Sequence, residues 1–277
     1  MEFLRAMGHC LLFRGTIFCA VVLAATFFSL AAAAGPYRPA AGESGSWAIH
    51  MDDSALVAWA TGWENYSPGQ EVDAAFQAPQ LAVGQAVGNS FDIVSLGRGG
   101  QITMTFDEPI QNGDGWDFAV FENSFSDSFL ELAHVEVSSN GVDFYRFDND
   151  SLTPSPVSGF GAVDPTNIDG LAGKYKQGYG TPFDLEDVGL DSATHIRIID
   201  VVGDGMSLDT SGDVIYDPYP TFGSAGFDLD AIGVSNGAAY PSGEYTPPPA
   251  PSYDGKAGFA VSGGCFIGAC LSSCRDQ

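Results

Sequence analysis

The sequence predicts an all-β protein: a jelly-roll-like, two-sheet antiparallel β-sandwich with long irregular loops. Short segments rich in β-branched and aromatic residues recur along the chain, and turn residues separate them. The composition agrees, because 35 Gly and 16 Pro accompany 20 Phe and 10 Tyr. Long helices do not fit so many turn residues, whereas short strands do.

Seven segments are predicted strands because they alternate or are rich in β-formers. They are Phe91–Leu96, Gln101–Phe106, Trp116–Phe121, Ala133–Val137, Val142–Phe147, Thr194–Val202 and Gly226–Val234. Gln101–Phe106 has the cleanest period of two, with Ile102, Met104 and Phe106 on one face. Asn140-Gly141 predicts a turn, since both residue types tolerate positive φ. Residues 148–189 are predicted to be a long irregular region.

The chain divides by composition into five segments. They are a signal peptide (1–34), a polar lead-in (35–44), the sandwich (45–237), a Pro-rich linker (238–258) and a cysteine-containing tail (259–277). Two arginines precede a short apolar run that ends in small residues, which predicts cleavage and secretion. A retained N-terminal anchor is the alternative. We expect no transmembrane span in the mature chain, because the tail is too short to cross a bilayer.

Cysteines and charge limit the protein further. Cys265, Cys270 and Cys274 all lie in the tail, so the predicted sandwich has no disulfide framework. The formal net charge of −25 excludes nucleic acid and anionic membranes as expected partners. It is compatible with divalent cations, with cationic partners, or simply with a solvated acidic surface.

Two glutamates depart from a surface pattern. Glu122 shares its strand phase with Phe118 and Val120, and Glu131 shares its phase with Ala133 and Val135. Carboxylates at the edge of a core must be paired, hydrogen-bonded or bound to a metal. One interpretation is a structural pair between Glu122 or Glu131 and Arg197, and the other is a ligand or Ca²⁺ site.

Acidic, Gly-rich loops suggest where Ca²⁺ could bind, because this ion prefers oxygen ligands on irregular backbone. The candidate ligands are Asp114, Asp117, Glu122, Asp204, Asp209 and Asp217. No EF-hand pattern occurs, so Ca²⁺ as a cofactor is a hypothesis based on composition.

Aromatic residues in predicted loops or near strand ends could stack on sugar rings. The candidates for ligand binding are Trp63, Tyr175, Tyr179 and Tyr219. The alternative is that these side chains anchor long loops to the sandwich.

The sequence has no recognised catalytic motif. The three histidines after the signal peptide, His50, His134 and His195, form no metal-binding pattern, and no G-x-S-x-G occurs. We therefore expect a protein that is not an enzyme.

Several blocks of sequence carry a family resemblance. The segments IVSLGRGGQITMTFDEPI, GDGWDFAVFENSF, ELAHVEVSSNGVDFYRF and LAGKYKQGYGTPFDL resemble secreted bacterial cell-surface proteins, many of which have PEP-CTERM-type sorting tails. The resemblance covers about residues 45–236 and implies surface display, without an established activity. The tail departs from that pattern, because GGCFIGACLSSC replaces the Pro-Glu-Pro motif and the basic end.

More loosely, the order of strands is similar to galactose-binding-like (discoidin-like) jelly rolls. That resemblance implies a module that binds sugars, lipids or proteins, often with a structural Ca²⁺.

Together these features predict a non-catalytic, Ca²⁺-stabilised extracellular or cell-surface binding or adhesion module. Its expected partner is an extracellular polysaccharide or another surface protein. The alternatives are a self-associating structural matrix protein and a glycan-directed hydrolase.

Overall fold

The computed structural model describes residues 34–241. The predicted signal peptide up to Ala33, the linker from residue 242 and the cysteine-containing tail lie outside the described residues. Within residues 34–241 there is no helix of the length and apolar character needed to cross a bilayer.

The described residues fold as two packed antiparallel sheets with irregular connections. In chain order the strands are β1 (Ile49–His50), β2 (Ala58–Trp59), β3 (Gly62–Ser67), β4 (Val94–Ser95), β5 (Gln101–Gln111), β6 (Trp116–Glu122), β7 (Ala133–Ser138), β8 (Tyr145–Arg146), β9 (Asp150–Ser151), β10 (Ile168–Asp169), β11 (Tyr179–Phe183), β12 (Ser192–Asp200) and β13 (Asp228–Ala238). Short 3-10 helices span Ala74–Phe76, Pro79–Ala82, Pro165–Asn167 and Leu185–Val188. This confirms the predicted all-β sandwich.

The two main sheets differ at their centres: strand β6 is buried at every residue, whereas strand β12 has both buried and partly exposed residues. One sheet has the order β1-β11-β6-β13-β2, with β4 also pairing with β13, and the other has the order β3-β5-β12-β7-β8. Strands β9 and β10 form a separate two-stranded ladder. All of these strand pairings are antiparallel.

Alternating side chains of the two sheets fill the core between them. Ile102 and Met104 of β5 meet Phe118 and Val120 of β6, and all four are almost fully buried. Each such side chain contributes about 1.5–3 kcal/mol through the apolar surface that it removes from water. The period of two in β5 is therefore the pattern that defines the core face.

The alternation in β6 carries Glu122 into the interior. Phe118 and Val120 belong to the core between the sheets, whereas Ala119 and Phe121 pack in a second cluster on the outer face. Glu122 follows the inner set and is 1% exposed, and Glu131, just before β7, is 4% exposed. Both carboxylates are buried, as their phases predict.

The region 148–189 contains more regular structure than its Pro and Gly content suggests. Strand β11 lies here and pairs with both β1 and β6. Pro182 is tolerated because it lies beyond the two residues of β11 that pair with β1. The expectation of a wholly irregular region was therefore wrong.

The predicted strand 142–147 is reduced to β8 because the preceding turn is longer than two residues. Asn140 Oδ1 accepts hydrogen bonds from the N–H groups of Val142 and Asp143, at 2.8 and 2.9 Å. Gly141 has a φ of 73°, and a Cβ there would lie 2.9 Å from the His195 ring. The glycine is therefore required by both backbone conformation and space.

The predicted pairing of Arg197 with Glu122 or Glu131 was wrong. Arg197 alternates with Ile196 and Ile198, which enter the core, so its side chain points to the outer face of the other sheet. There it lies opposite Glu136 of β7, and its Nε donates to Glu136 Oε2 at 2.7 Å. Arg146 of β8 donates to the second oxygen, Glu136 Oε1, at 2.9 Å.

Replacement of Glu136 should therefore weaken the sheet. We expect Glu136→Gln to lower the free energy of unfolding by about 1–3 kcal/mol, because two arginines lose the charge of a shared, largely buried partner. Urea unfolding measures the change. The control is Asp127→Asn in the exposed pair with Lys176, which should change it by less than about 1 kcal/mol. Equal losses in the two variants would contradict this role of Glu136.

Candidate functional site

Six carboxylates are buried at one end of the sandwich and in the loops next to it. They are Glu122, Glu131, Asp200, Asp217, Asp228 and Asp230. Strand pairing brings the first of these close to the closing strand, since Glu122 of β6 lies opposite Leu229, next to Asp228. The residue pairing is irregular at this point, with a register shift between Leu229 and Ala231.

Backbone amides satisfy three of these six carboxylates. Asp200 accepts from the N–H groups of Gly99 and Phe227, and Asp230 accepts from Val87 and Gly88. Asp217 accepts from the N–H of Leu132 at 3.0 Å. These three side chains organise loops, which is a structural role.

Glu122, Glu131 and Asp228 form a different group, which we call the acidic floor. Each has one buried oxygen without a hydrogen-bond partner in residues 34–241, namely Glu122 Oε1, Glu131 Oε1 and Asp228 Oδ1. The second oxygen of Glu122 accepts from the N–H of Ser124 at 2.6 Å. None of the ion pairs within the described chain includes these three carboxylates.

Burial and mutual repulsion disfavour charge on the acidic floor. Burial raises the pKa of Glu122 well above its usual range, and the charge of Asp228 raises it further. Glu131 has a raised pKa for the same reason, with added repulsion from Asp228 and Glu122. Burial raises the pKa of Asp228 to about 7, although Ser95, Ser224 and Asn123 oppose the shift. Ser95 Oγ nevertheless has no hydrogen-bond partner within the described residues.

Two residues of the acidic floor line a pocket of about 210 Å³, which we call the phenylalanine-rimmed pocket. These two residues are Glu131 and Asp228, and the exposed side chains of Phe125, Phe160 and Phe222 also line the pocket. The rings of Phe125 and Phe129 stack at 4.6 Å, and the ring of Phe129 lies 6.1 Å from that of Phe160. Exposed phenyl rings therefore surround a floor of buried carboxyl groups.

A larger pocket, of about 320 Å³, lies elsewhere on the sandwich, and we call it the polar pocket. Its lining includes two cations, Arg38 and Lys174. Three exposed acids also line it, namely Asp148, Asp169 and Asp187. Its apolar walls are formed by Phe147, Pro182 and Phe183 and by the aromatic residues Trp47, Tyr175 and Tyr240.

Lys174 is the most deeply buried charge of the polar pocket. Its Nζ donates to the carbonyl of Ile168 at 2.6 Å. Burial lowers the pKa of Lys174 to about 8, and Asp169 opposes that decrease. Nearby, Thr181 Oγ1 is buried in the pocket wall and has no hydrogen-bond partner within residues 34–241. The wall therefore offers polar atoms to a ligand.

The predicted Ca²⁺ ligands do not converge on one place. Asp114 is exposed, and Asp117 accepts from Gly113 and Leu185 at the opposite end of β6 from Glu122. Asp209 accepts from Ser151, Ser211 and Asp213 in a separate loop. Asp204 is exposed and accepts from Met206. Asp217 is close enough to Glu131 to raise its pKa, so Glu122 and Asp217 are the two candidates near the acidic floor.

The predicted sugar-binding aromatics also lie apart. Trp63 is exposed on β3, and Tyr179 contacts His50 at the edge of the other sheet. Tyr219 lies beside Arg98, at 5.5 Å from its guanidinium carbon. Tyr175 is buried, which corrects the expectation of an exposed ring, but it lines the polar pocket. These four residues do not form one platform.

No family model and no curated protein matches the chain. The function is therefore inferred from the two pockets and the acidic floor. No group of three or more His, Cys, Asp or Glu side chains in residues 34–241 is already arranged to hold a metal ion.

Sequence reasoning missed three features of these sites. The sequence does not single out Asp228, because its proximity to Glu122 depends on the pairing of two strands far apart in the chain. The phenylalanine rim of the pocket consists of Phe125, Phe129, Phe160 and Phe222. The last two lie far from the first two in the chain, so no local sequence pattern predicts that they are neighbours. The sequence around Lys174 gives no sign that this lysine is buried, although its side chain is only 3% exposed in the fold.

The buried acids should make stability depend on pH in an unusual direction. Asp200 and Asp228 have pKa values of about 7 in the fold, against about 4 in an unfolded chain. The folded protein thus binds more protons between these values, so stability is lost as pH rises from about 4 to about 7. Each pKa unit corresponds to about 1.4 kcal/mol, so the loss could reach several kcal/mol.

Thermal melts in chelator across this pH interval measure the effect. Repeating them in about 0.5 M KCl is the control, because salt screens repulsion between exposed acids and leaves the cost of burial. A melting temperature that stays constant or increases with pH would contradict the assignment.

Proposed function

We propose that this chain is a non-catalytic extracellular or cell-surface binding module that holds a neutral sugar unit of a polysaccharide in the polar pocket. The observation that carries the proposal is the mixed lining of that pocket, where cations, carboxylates and apolar rings meet around about 320 Å³. This volume lies within the range of about 300–1,000 Å³ that is typical of small-molecule sites.

The charges of the polar pocket favour a neutral ligand with many hydroxyl groups. Arg38 and Lys174 supply donors, and Asp148, Asp169 and Asp187 supply acceptors. A sugar hydroxyl can donate to a carboxylate and accept from an ammonium or guanidinium group at the same time. A strongly anionic ligand would meet three acids as well as the negative charge of the whole chain.

The rings of the polar pocket suit the apolar face of a pyranose, in which C–H groups pack on aromatic surfaces. One face of Trp47 is covered by Arg38, whose guanidinium carbon lies 3.8 Å from the ring centroid, and Tyr240 stacks on Trp47 at 4.0 Å. Tyr240 is therefore better placed than Trp47 to contact a ligand, whereas Phe183 is buried and stacks on Phe118 in the core.

The remaining parts of the proposal depend on the sequence. The signal-peptide pattern and the resemblance to secreted surface proteins support an extracellular location. The lack of a recognised catalytic motif supports binding without catalysis. Ca²⁺ is proposed as the stabilising ion, because the acidic floor needs a compensating positive charge.

Self-association as a matrix protein is the second candidate, and the exposed phenylalanines favour it. Phe160 is 91% exposed and Phe222 is 66% exposed, and clustered apolar side chains often mark contact surfaces. We expect Phe160→Ser to abolish any concentration-dependent increase in sedimentation coefficient. Tyr145→Ser, an exposed aromatic on β8, is the matched control. A wild-type chain that remains monomeric at high concentration would exclude this candidate.

Binding to an array of neutral and anionic oligosaccharides, in chelator, tests the primary proposal. We expect a neutral glycan to bind, and Asp169→Asn and Asp187→Asn each to weaken it about tenfold or more. The reason is that a hydrogen bond to a charged group contributes about 1.5–3 kcal/mol.

The matched control is Glu108→Gln, which removes an exposed acid from β5 outside the pocket and should leave affinity unchanged. The proposal fails if no neutral glycan binds, or if the three variants weaken binding equally.

A further inference from the structure

The acidic floor of the phenylalanine-rimmed pocket is the least compensated charge cluster in the described residues. We propose that at least two of the three carboxylates, Glu131 and Asp228 of the pocket lining and the adjoining Glu122, hold one Ca²⁺ ion there, with coordination positions open towards the mouth of the pocket. The inference deepens the Ca²⁺ component of the proposed function by giving the ion a place and a ligand set. It does not depend on the sugar proposed for the polar pocket.

A bound cation would compensate ionised carboxylates in the acidic floor. A carboxylate buried in a protein needs a compensating charge or a proton, because removal from water costs several kcal/mol for each ion. The Lys, Arg and His residues in residues 34–241 form no ion pair with the acidic floor. Arg98, the cation that acts on nearby Asp200, pairs with Glu71 instead.

Unpaired oxygen atoms in the acidic floor also favour a bound ligand. Glu122, Glu131 and Asp228 are each at least 96% buried, and each keeps one oxygen without a hydrogen-bond partner within the described chain. Glu131 and Asp228 line the pocket, and the charges of Glu122 and Asp228 both act on Glu131, so the three carboxylates lie close together beside it. Buried polar atoms are nearly always satisfied in native proteins, so three unsatisfied oxygens in one place indicate a ligand.

The atoms available as ligands are those that a hard cation prefers. The atoms that could bind a metal ion are carboxylate oxygens, the unpaired Ser95 Oγ and the side chain of Asn123. No sulfur or imidazole is among them. Such a set suits a hard cation, and Ca²⁺ accepts six to eight oxygens at flexible angles, whereas Mg²⁺ demands a near-ideal octahedron. Residues 34–241 contain no ready-made set of three acidic ligands, and two carboxylates with neutral oxygens and water can complete the shell.

The shape of the pocket also suits an ion with its waters. A volume of about 210 Å³ is below the usual size of small-molecule sites but ample for an ion with its waters. Phe125, Phe160 and Phe222 surround the mouth and lower the local dielectric constant, which strengthens the attraction between the ion and the floor. The open side leaves positions for water or for an oxygen of a bound partner.

Calorimetric titration of the chelator-treated full chain with CaCl₂ tests the site. We expect one bound ion per chain, and a melting temperature that rises with Ca²⁺ concentration because the ion binds the folded state. Glu131→Gln and Asp228→Asn should each weaken Ca²⁺ binding at least tenfold. Both variants should melt at or above the wild-type temperature in chelator at about pH 8, since each removes an uncompensated buried charge.

The matched controls are Asp114→Asn and Asp204→Asn, which remove exposed acids away from the floor and should leave Ca²⁺ binding unchanged. Circular dichroism confirms folding, and Glu122→Gln serves if another variant fails to fold. The inference is overturned if Ca²⁺ gives no heat and no thermal shift, or if Asp114→Asn abolishes binding while Asp228→Asn does not. Glycan binding is measured separately in chelator, so failure of the cation site and failure of the sugar site are distinguishable.

Discussion

Uncompensated negative charge inside the sandwich is the constraint on which the proposed site depends. Glu122 is carried into the interior by the same alternation that buries Phe118 and Val120, so β6 cannot form without burying this carboxylate. Asp228 and Glu131 join it and add repulsion. A buried charge persists when it is paired, protonated or bound to a cation. Within residues 34–241 no basic side chain forms an ion pair with these three carboxylates. Protonation can neutralise them at low pH, and in our proposal Ca²⁺ compensates their charge near neutral pH.

Comparison of the two ends of β6 shows why one end is a candidate site and the other is not. Asp117, near the start of the strand, is also buried, but both of its oxygens accept backbone N–H groups, from Gly113 and Leu185. Glu122, at the other end, has one oxygen satisfied by Ser124 and one without a partner in residues 34–241. Burial alone therefore does not mark function. The unpaired oxygen and the adjoining pocket distinguish Glu122 from Asp117.

The sequence predicted the features that depend on local periodicity. Alternation identified β5, β6, β7 and β12, and it placed Glu122 and Glu131 on the buried side. It could not identify the partner of Arg197, since that depends on which strand lies beside β12 and on the register that brings Glu136 opposite. Strand β11 was missed because Pro182 reads as a strand breaker, and a proline is tolerated where the neighbouring strand has already ended. The acidic floor and the phenylalanine rim each combine residues that lie about 100 positions apart in the chain. A pattern in a single sequence does not predict such a long-range contact.

The central claim is that a cation compensates the acidic floor, and a crystal grown with a Ca²⁺ analogue such as a lanthanide tests it most directly. The account predicts one strong anomalous peak at the base of the phenylalanine-rimmed pocket, within bonding distance of oxygens from at least two of Glu122, Glu131 and Asp228. A well-ordered crystal with no peak there, or with the peak among the exposed acids Asp114 or Asp204, would contradict it.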